Sequence, residues 1–158
     1  MPLELSAVNR LNVIMTSAIK MGTIVYPAVI VHGLADAKAA LAPGLPVTLL
    51  SAPGAAQFAG CLWWREIVVA ARAGCPNTRA TDVLDCADAA GMAMGALRSG
   101  VFRLVLWPEA PGWDGVAAIA ERQGGFVLPK APAALDLAQR NAIRRLHAWL
   151  RDSQGGSG

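Results

Sequence analysis

The side chains able to do chemistry recur at one kind of position in this sequence, at or just after the end of a short apolar run. His32 closes Ala28–His32, Ser51 closes Val47–Ser51 and Asp85 closes Ala80–Asp85. Trp107 closes Arg103–Trp107, and Pro129-Lys130 follows Phe126–Leu128. Each residue type carries its own chemistry. His32 titrates near neutrality and suits a general base, or simply a hydrogen bond to backbone. Ser51-Ala52-Pro53-Gly54 makes a tight turn with free backbone N–H groups for an anion, or Ser51 caps the helix that follows. A phosphate loop would carry more glycine and a lysine. Asp85 and Asp88 are spaced to hold a cation or share a proton, although Asp88 also suits a helix N-cap. Lys130 offers an imine or an anion contact, or is an ordinary solvated lysine. Cys86 would need a lowered pKa to act as a nucleophile, and nothing beside it in sequence provides that. No Ser–His–Asp order or nucleophile-elbow spacing occurs. His32, Ser51, Gly54, Asp85, Asp88 and Lys130 therefore read as a crevice for an anionic small molecule, with no catalytic residue, metal or cofactor assigned.

These positions come together only if the apolar runs are parallel strands. The helical stretches between and after them are Leu34–Ala42, Ala55–Ala73, Asp88–Ser99, Trp113–Gln123 and Ala134–Asp152. The last is the most regular, with Leu135, Ala138, Ala142, Leu146 and Trp149 or Leu150 along one face. Pro43-Gly44, Gly74, Gly100 and Gly124-Gly125 mark the stops. Strand-then-helix alternation predicts an α/β fold: a three-layer sandwich around a five-stranded, mainly parallel sheet, flavodoxin-like or Rossmann-like, with strand order 2-1-3-4-5. A fragment of a β/α barrel is the alternative, with too few units to close. In such sheets ligands bind beyond the carboxyl ends of the strands, where the polar residues gather. Residues 23–152 are expected to form one domain. An arm at 1–22 precedes it, with Leu5, Val8, Met15 and Ile19 near helical spacing, and a linker-like Gly/Ser tail at 153–158 follows.

Composition narrows the function classes. The 158 residues hold 14 Lys and Arg against 11 Asp and Glu, a net charge of +3. The arginines are scattered, with no basic block interleaved with aromatics, so nucleic acid is not an expected partner. Arg144, Arg145 and Arg151 lie near the end of the last predicted helix, where they would complement its dipole. Three cysteines without a CxxC pair argue against a disulfide scaffold or zinc site and fit a reducing cytoplasm. No apolar run approaches the ~20 residues that span a bilayer, so no membrane association is expected.

Only 16% of residues are charged, fewer than an average soluble domain carries. The shortage tells on the helices. In Ala55–Ala73, Trp63, Trp64, Ile67, Val68, Ala70 and Ala71 form the arc that should face the sheet. Phe58, Leu62 and Val69 project outward among Arg65, Glu66 and Arg72. Met92 does the same on the next helix, where Gly91 and Gly95 leave a flat strip. This outward stripe predicts a homo-oligomer, natural or engineered as in a designed assembly, rather than an enzyme.

Overall fold

The computed structural model describes residue 24 and residues 26–153. The arm at 1–22 and all of the Gly/Ser tail except Ser153 lie outside the described residues. Six strands, β1 (Ala28–Val31), β2 (Val47–Ser51), β3 (Ala80–Asp85), β4 (Arg103–Val105), β5 (Phe126–Leu128) and β6 (Ala134–Asp136), form one sheet in which every neighbouring pair is parallel. The helices are α1 (Leu34–Leu41), α2 (Ala55–Phe58), α3 (Cys61–Gly74), α4 (Ala90–Arg98), α5 (Trp113–Arg122) and α6 (Ala142–Asp152). The α/β class and parallel sheet expected from the alternation are present.

The strand order is 5-4-3-2-1-6 rather than 2-1-3-4-5, and there are six strands rather than five. The chain winds from β1 to β5 without reversing and then returns to place β6 on the far side of β1. Right-handed crossovers stepping in one direction put their helices on one face. Accordingly, the buried faces of α1 to α6 join a single core with Val29, Leu49, Leu84, Leu104, Val127 and Leu135. The alternate residues Leu50, Val83, Val105 and Leu128 form a second buried cluster on the opposite face, with Ile24, Ile30, Phe126 and Ala134 against it.

The return from β5 to β6 dictates the shape of the sheet. Six Cα steps from Leu128 to Ala134 reach about 22 Å at most. The two strands occupy opposite edges, which on a flat sheet would lie five strand spacings, about 24 Å, apart before any shift along the strands. The sheet must therefore coil, drawing its edges together around the second cluster.

Two helix boundaries depart from expectation for local reasons. The stretch Ala55–Ala73 is broken at Ala59-Gly60, where Gly60 has φ 87°. Its second half keeps most of the expected inner face: Trp64, Val68 and Ala71 are buried and Trp63 and Ile67 half-buried, but Ala70, expected inward, is exposed. Burying Trp64 and Val68 contributes about 1.5–3 kcal/mol each. The last predicted helix loses its first turns. Ala134–Asp136 is a strand on the β1 edge, and α6 begins at Ala142. Leu135 and Leu137 enter the core in strand alternation, while Ala142, Leu146 and Leu150 follow at helical spacing. Trp149 fastens this helix to the sheet through Nε1, which donates to the Ala28 carbonyl at 2.8 Å. At the other edge a side chain on Gly125 would run into the Phe102 carbonyl, so only glycine lets the chain enter β5.

Candidate functional site

At the centre of the carboxyl edge, β2 and β3 are locked by Asp85. It is 3% exposed. Its Oδ1 accepts the Gly54 N–H at 3.1 Å and the Ala87 N–H at 2.8 Å. Ser51 Oγ in turn accepts the Asp85 N–H at 2.8 Å and donates to the Ala52 carbonyl at 3.2 Å. Ser51 thus ties two strands together and does not cap the following helix, which has no side-chain cap. Gly54 turns the chain with φ 68°, and Ala87 adopts φ 51°, a left-handed conformation that costs a non-glycine residue about 1 kcal/mol or more. Gln57 completes the lock, with Nε2 donating to the Cys86 carbonyl and to Asp88 Oδ1, both at 3.3 Å.

Among the described residues Oδ2 of Asp85 has no hydrogen-bond partner. Burial pushes this carboxyl above the ordinary carboxylate range, against the Ala87 and Gly54 N–H groups that pull it down. Burial, with Asp85 and Cys61 nearby, also pushes the Cys86 thiol up to about 12. A thiol held protonated in this way is not an activated nucleophile.

The β1 edge carries a different arrangement. His32 Nε2 lies 2.7 Å from Asp136 Oδ1, which also accepts the Ala138 N–H at 2.9 Å. The His32 backbone N–H donates to Asp36 at 2.9 Å. Both side chains of the pair are partly exposed. Burial alone would raise the Asp136 carboxyl, but the Ala138 N–H and then His32 bring it below the ordinary range. The geometry is that of a carboxylate orienting an imidazole.

Beyond β3, β4 and β5 lies a shallow cleft of about 600 Å³ lined by Asp88, Trp107, Pro108, Glu109, Ala110, Pro111 and Pro129. Lys130 is exposed beside it but is not part of its wall. The structure therefore brings Ser51, Gly54, Asp85 and Asp88 into one hydrogen-bonded group, sets His32 apart with Asp136, and leaves Lys130 on the rim. Asp136 and Gln57 are the participants that the sequence pattern did not single out. Asp136 lay inside a predicted helix. The alternation Leu135-Asp136-Leu137 three residues after Pro132 is the signal that marks it as strand. Among the described residues no cluster of three or more His, Cys, Asp or Glu side chains is placed to hold a metal ion.

The side chains of the outward stripe are exposed. Phe58 is 72% exposed, Leu62 55%, Val69 58% and Met92 48%. Beside them Arg65 and Glu66 neutralise one another at 3.3 Å. Among the described residues no helix is long and apolar enough to cross a membrane. These features define a chain of the parallel α/β class with a polar carboxyl edge and an apolar helical surface. No known family, curated protein or solved structure matches it.

Proposed function

We propose that this chain is a homo-oligomeric α/β subunit whose copies meet through the outward side chains of α2, α3 and α4. The exposure of Phe58, Leu62, Val69 and Met92 on three successive helices carries the reading. Leu62 and Val69 are two turns apart on one face of α3, and Phe58 precedes Leu62 across the Gly60 break. Full burial of such side chains yields about 1.5–3 kcal/mol each, enough to hold a protomer contact when several act together. A designed assembly could use the same stripe. The three free thiols suit a cytoplasmic setting. Light scattering of the 16.4 kDa chain at micromolar concentration should give a multiple of that mass, and the double variant Phe58→Lys/Leu62→Lys should give a folded monomer. A monomeric wild-type chain overturns the proposal.

Asp85 favours a second reading, a binder for an anionic metabolite at the strand ends. A buried carboxyl with one unpartnered oxygen can donate to an anion when protonated, and His32 and Lys130 lie on the same edge. Phosphorylated metabolites should then raise the melting temperature of the wild type, and the rise should be absent in Asp85→Ala, which removes the donor. No response across such a panel removes this reading.

A further inference from the structure

The late start of α6 changes what its arginines mean. In a helix beginning at Ala134, Arg144 and Arg145 would sit in the second half, towards the negative end of the dipole. In the helix as it stands, beginning at Ala142, they occupy the first turn, which holds no acidic residue. The positive end of the helix dipole disfavours cations there. Only Arg151 lies in the last turn, where the dipole favours it. Among the described residues the side chains of Arg140, Arg144, Arg145 and Arg151 make no hydrogen bond or ion pair, and all four are exposed. Residues 140–152 hold these four arginines against the single carboxylate of Asp152, a surplus equal to the whole chain's net charge of +3. Local helix energetics therefore oppose the first two arginines, and no partner among the described residues compensates them.

A groove of about 550 Å³ runs along the same helix, lined by Arg144, Arg145, Ala148, Trp149, Asp152 and Ser153. Ala148 leaves room on its floor. Trp149 is half-buried and held by its Nε1 bond to Ala28, so its ring is a fixed wall and not a mobile anchor. Guanidinium groups match phosphate, an aromatic wall suits a base, and Asp152 can accept from a base N–H. One face of α6 is committed to the core through Ala142, Leu146 and Leu150, and Ile143 is left 57% exposed, a single apolar side chain too small to anchor the helix in a bilayer. The groove is open and formed by one helix, so affinity must come from several phosphates in succession.

We propose that the outer face of α6 binds single-stranded nucleic acid, with Arg140, Arg144, Arg145 and Arg151 on the phosphates and the Trp149 groove taking a base. The experiment is fluorescence anisotropy of a labelled oligothymidylate of about 12 nucleotides, titrated with the full chain at about 50 mM and about 200 mM salt. Binding should weaken roughly fifty-fold between the two, as expected for about four phosphate contacts. Arg144→Glu/Arg145→Glu should lose at least about ten-fold in affinity while melting at a higher temperature, because acids replace bases at the positive end of the helix. That opposed pair of changes separates lost binding from lost folding. No binding at the lower salt overturns the proposal, as does unchanged affinity in the double variant. Binding to vesicles of anionic phosphatidylglycerol without binding to the oligonucleotide overturns it in favour of a lipid surface.

Discussion

Two carboxylates on the same sheet edge, Asp85 at β3 and Asp136 at β6, are put to opposite uses. Asp85 is buried and its bonded oxygen serves backbone N–H groups from two loops, so it holds the edge in shape. Asp136 is partly exposed and faces another side chain, His32. Their acidities diverge accordingly: burial drives the first up, while for the second the Ala138 N–H and His32 outweigh burial and drive it down. Residue type alone does not settle a carboxylate's role. Depth and the nature of the partner do.

The sharpest way to break the comparison is Asp85→Ala. It strands the buried N–H groups of Gly54 and Ala87, each at a cost of about 1–3 kcal/mol, so unfolding by heat or urea should show a loss of roughly 2–5 kcal/mol. The corresponding fall in melting temperature is about 10 °C for a chain of this size. Ser51→Ala touches the same lock from the other strand and strands one group, the Asp85 N–H. Its expected loss is about 1–2 kcal/mol. Equal stability of Ser51→Ala and wild type would show that the hydroxyl is not part of the lock.

The contrast between these regions also marks what could be read from the sequence. The turns at the centre of the edge were legible because their signals are local, Val47–Ser51 and Ala80–Asp85 each ending in turn residues. The β2–β3 pairing that joins Ser51 to Asp85 was not, since the expected order put β1 between them. The outward positions of Leu62, Val69 and Met92 were legible because helical spacing fixes which side a residue faces. Phe58 lies on a separate short helix before the Gly60 break, and its exposure does not follow from that spacing. The β6 edge was not legible. Ala134–Asp136 has helix-forming residues, and its extended state is decided by pairing with β1, more than a hundred residues earlier in the chain. The His32–Asp136 pair and the true start of α6 were hidden with it. Strand order was hidden too, because right-handed crossovers permit both 2-1-3-4-5 and the observed winding. Only the short link from Leu128 to Ala134 distinguishes them, and its meaning depends on knowing that Ala134 opens a strand.

Asp85→Asn sharpens the comparison without dismantling the lock. The amide oxygen can accept both N–H groups, while the charge is gone. Because the folded-state pKa of Asp85 is raised, its contribution to stability is fully present below the unfolded value near 3.9 and is lost as pH rises through the folded value. The asparagine variant should therefore be the more stable at pH 7, within the ~0.5–3 kcal/mol range of single substitutions. Its advantage should disappear as the pH falls towards about 4. A wild type that stays the more stable at neutral pH would mean that the buried carboxylate is better solvated than its surroundings indicate.

Asp136→Asn should give the smallest effect and the opposite pH dependence. The amide keeps an acceptor for the Ala138 N–H and for His32, so what is removed is the charge of a partly exposed pair, worth no more than about 0.5 kcal/mol in water. A lowered folded-state pKa means that the contribution is present above the ordinary value near 3.9 and lost as pH falls through the folded one. The wild type should hold its slight advantage at neutral pH and lose it in acid, where Asp85→Asn loses its own. Melting curves of both variants across the same pH series would set the two slopes side by side. If the slopes share one sign, the two carboxylates do not divide the edge as their burial and partners indicate.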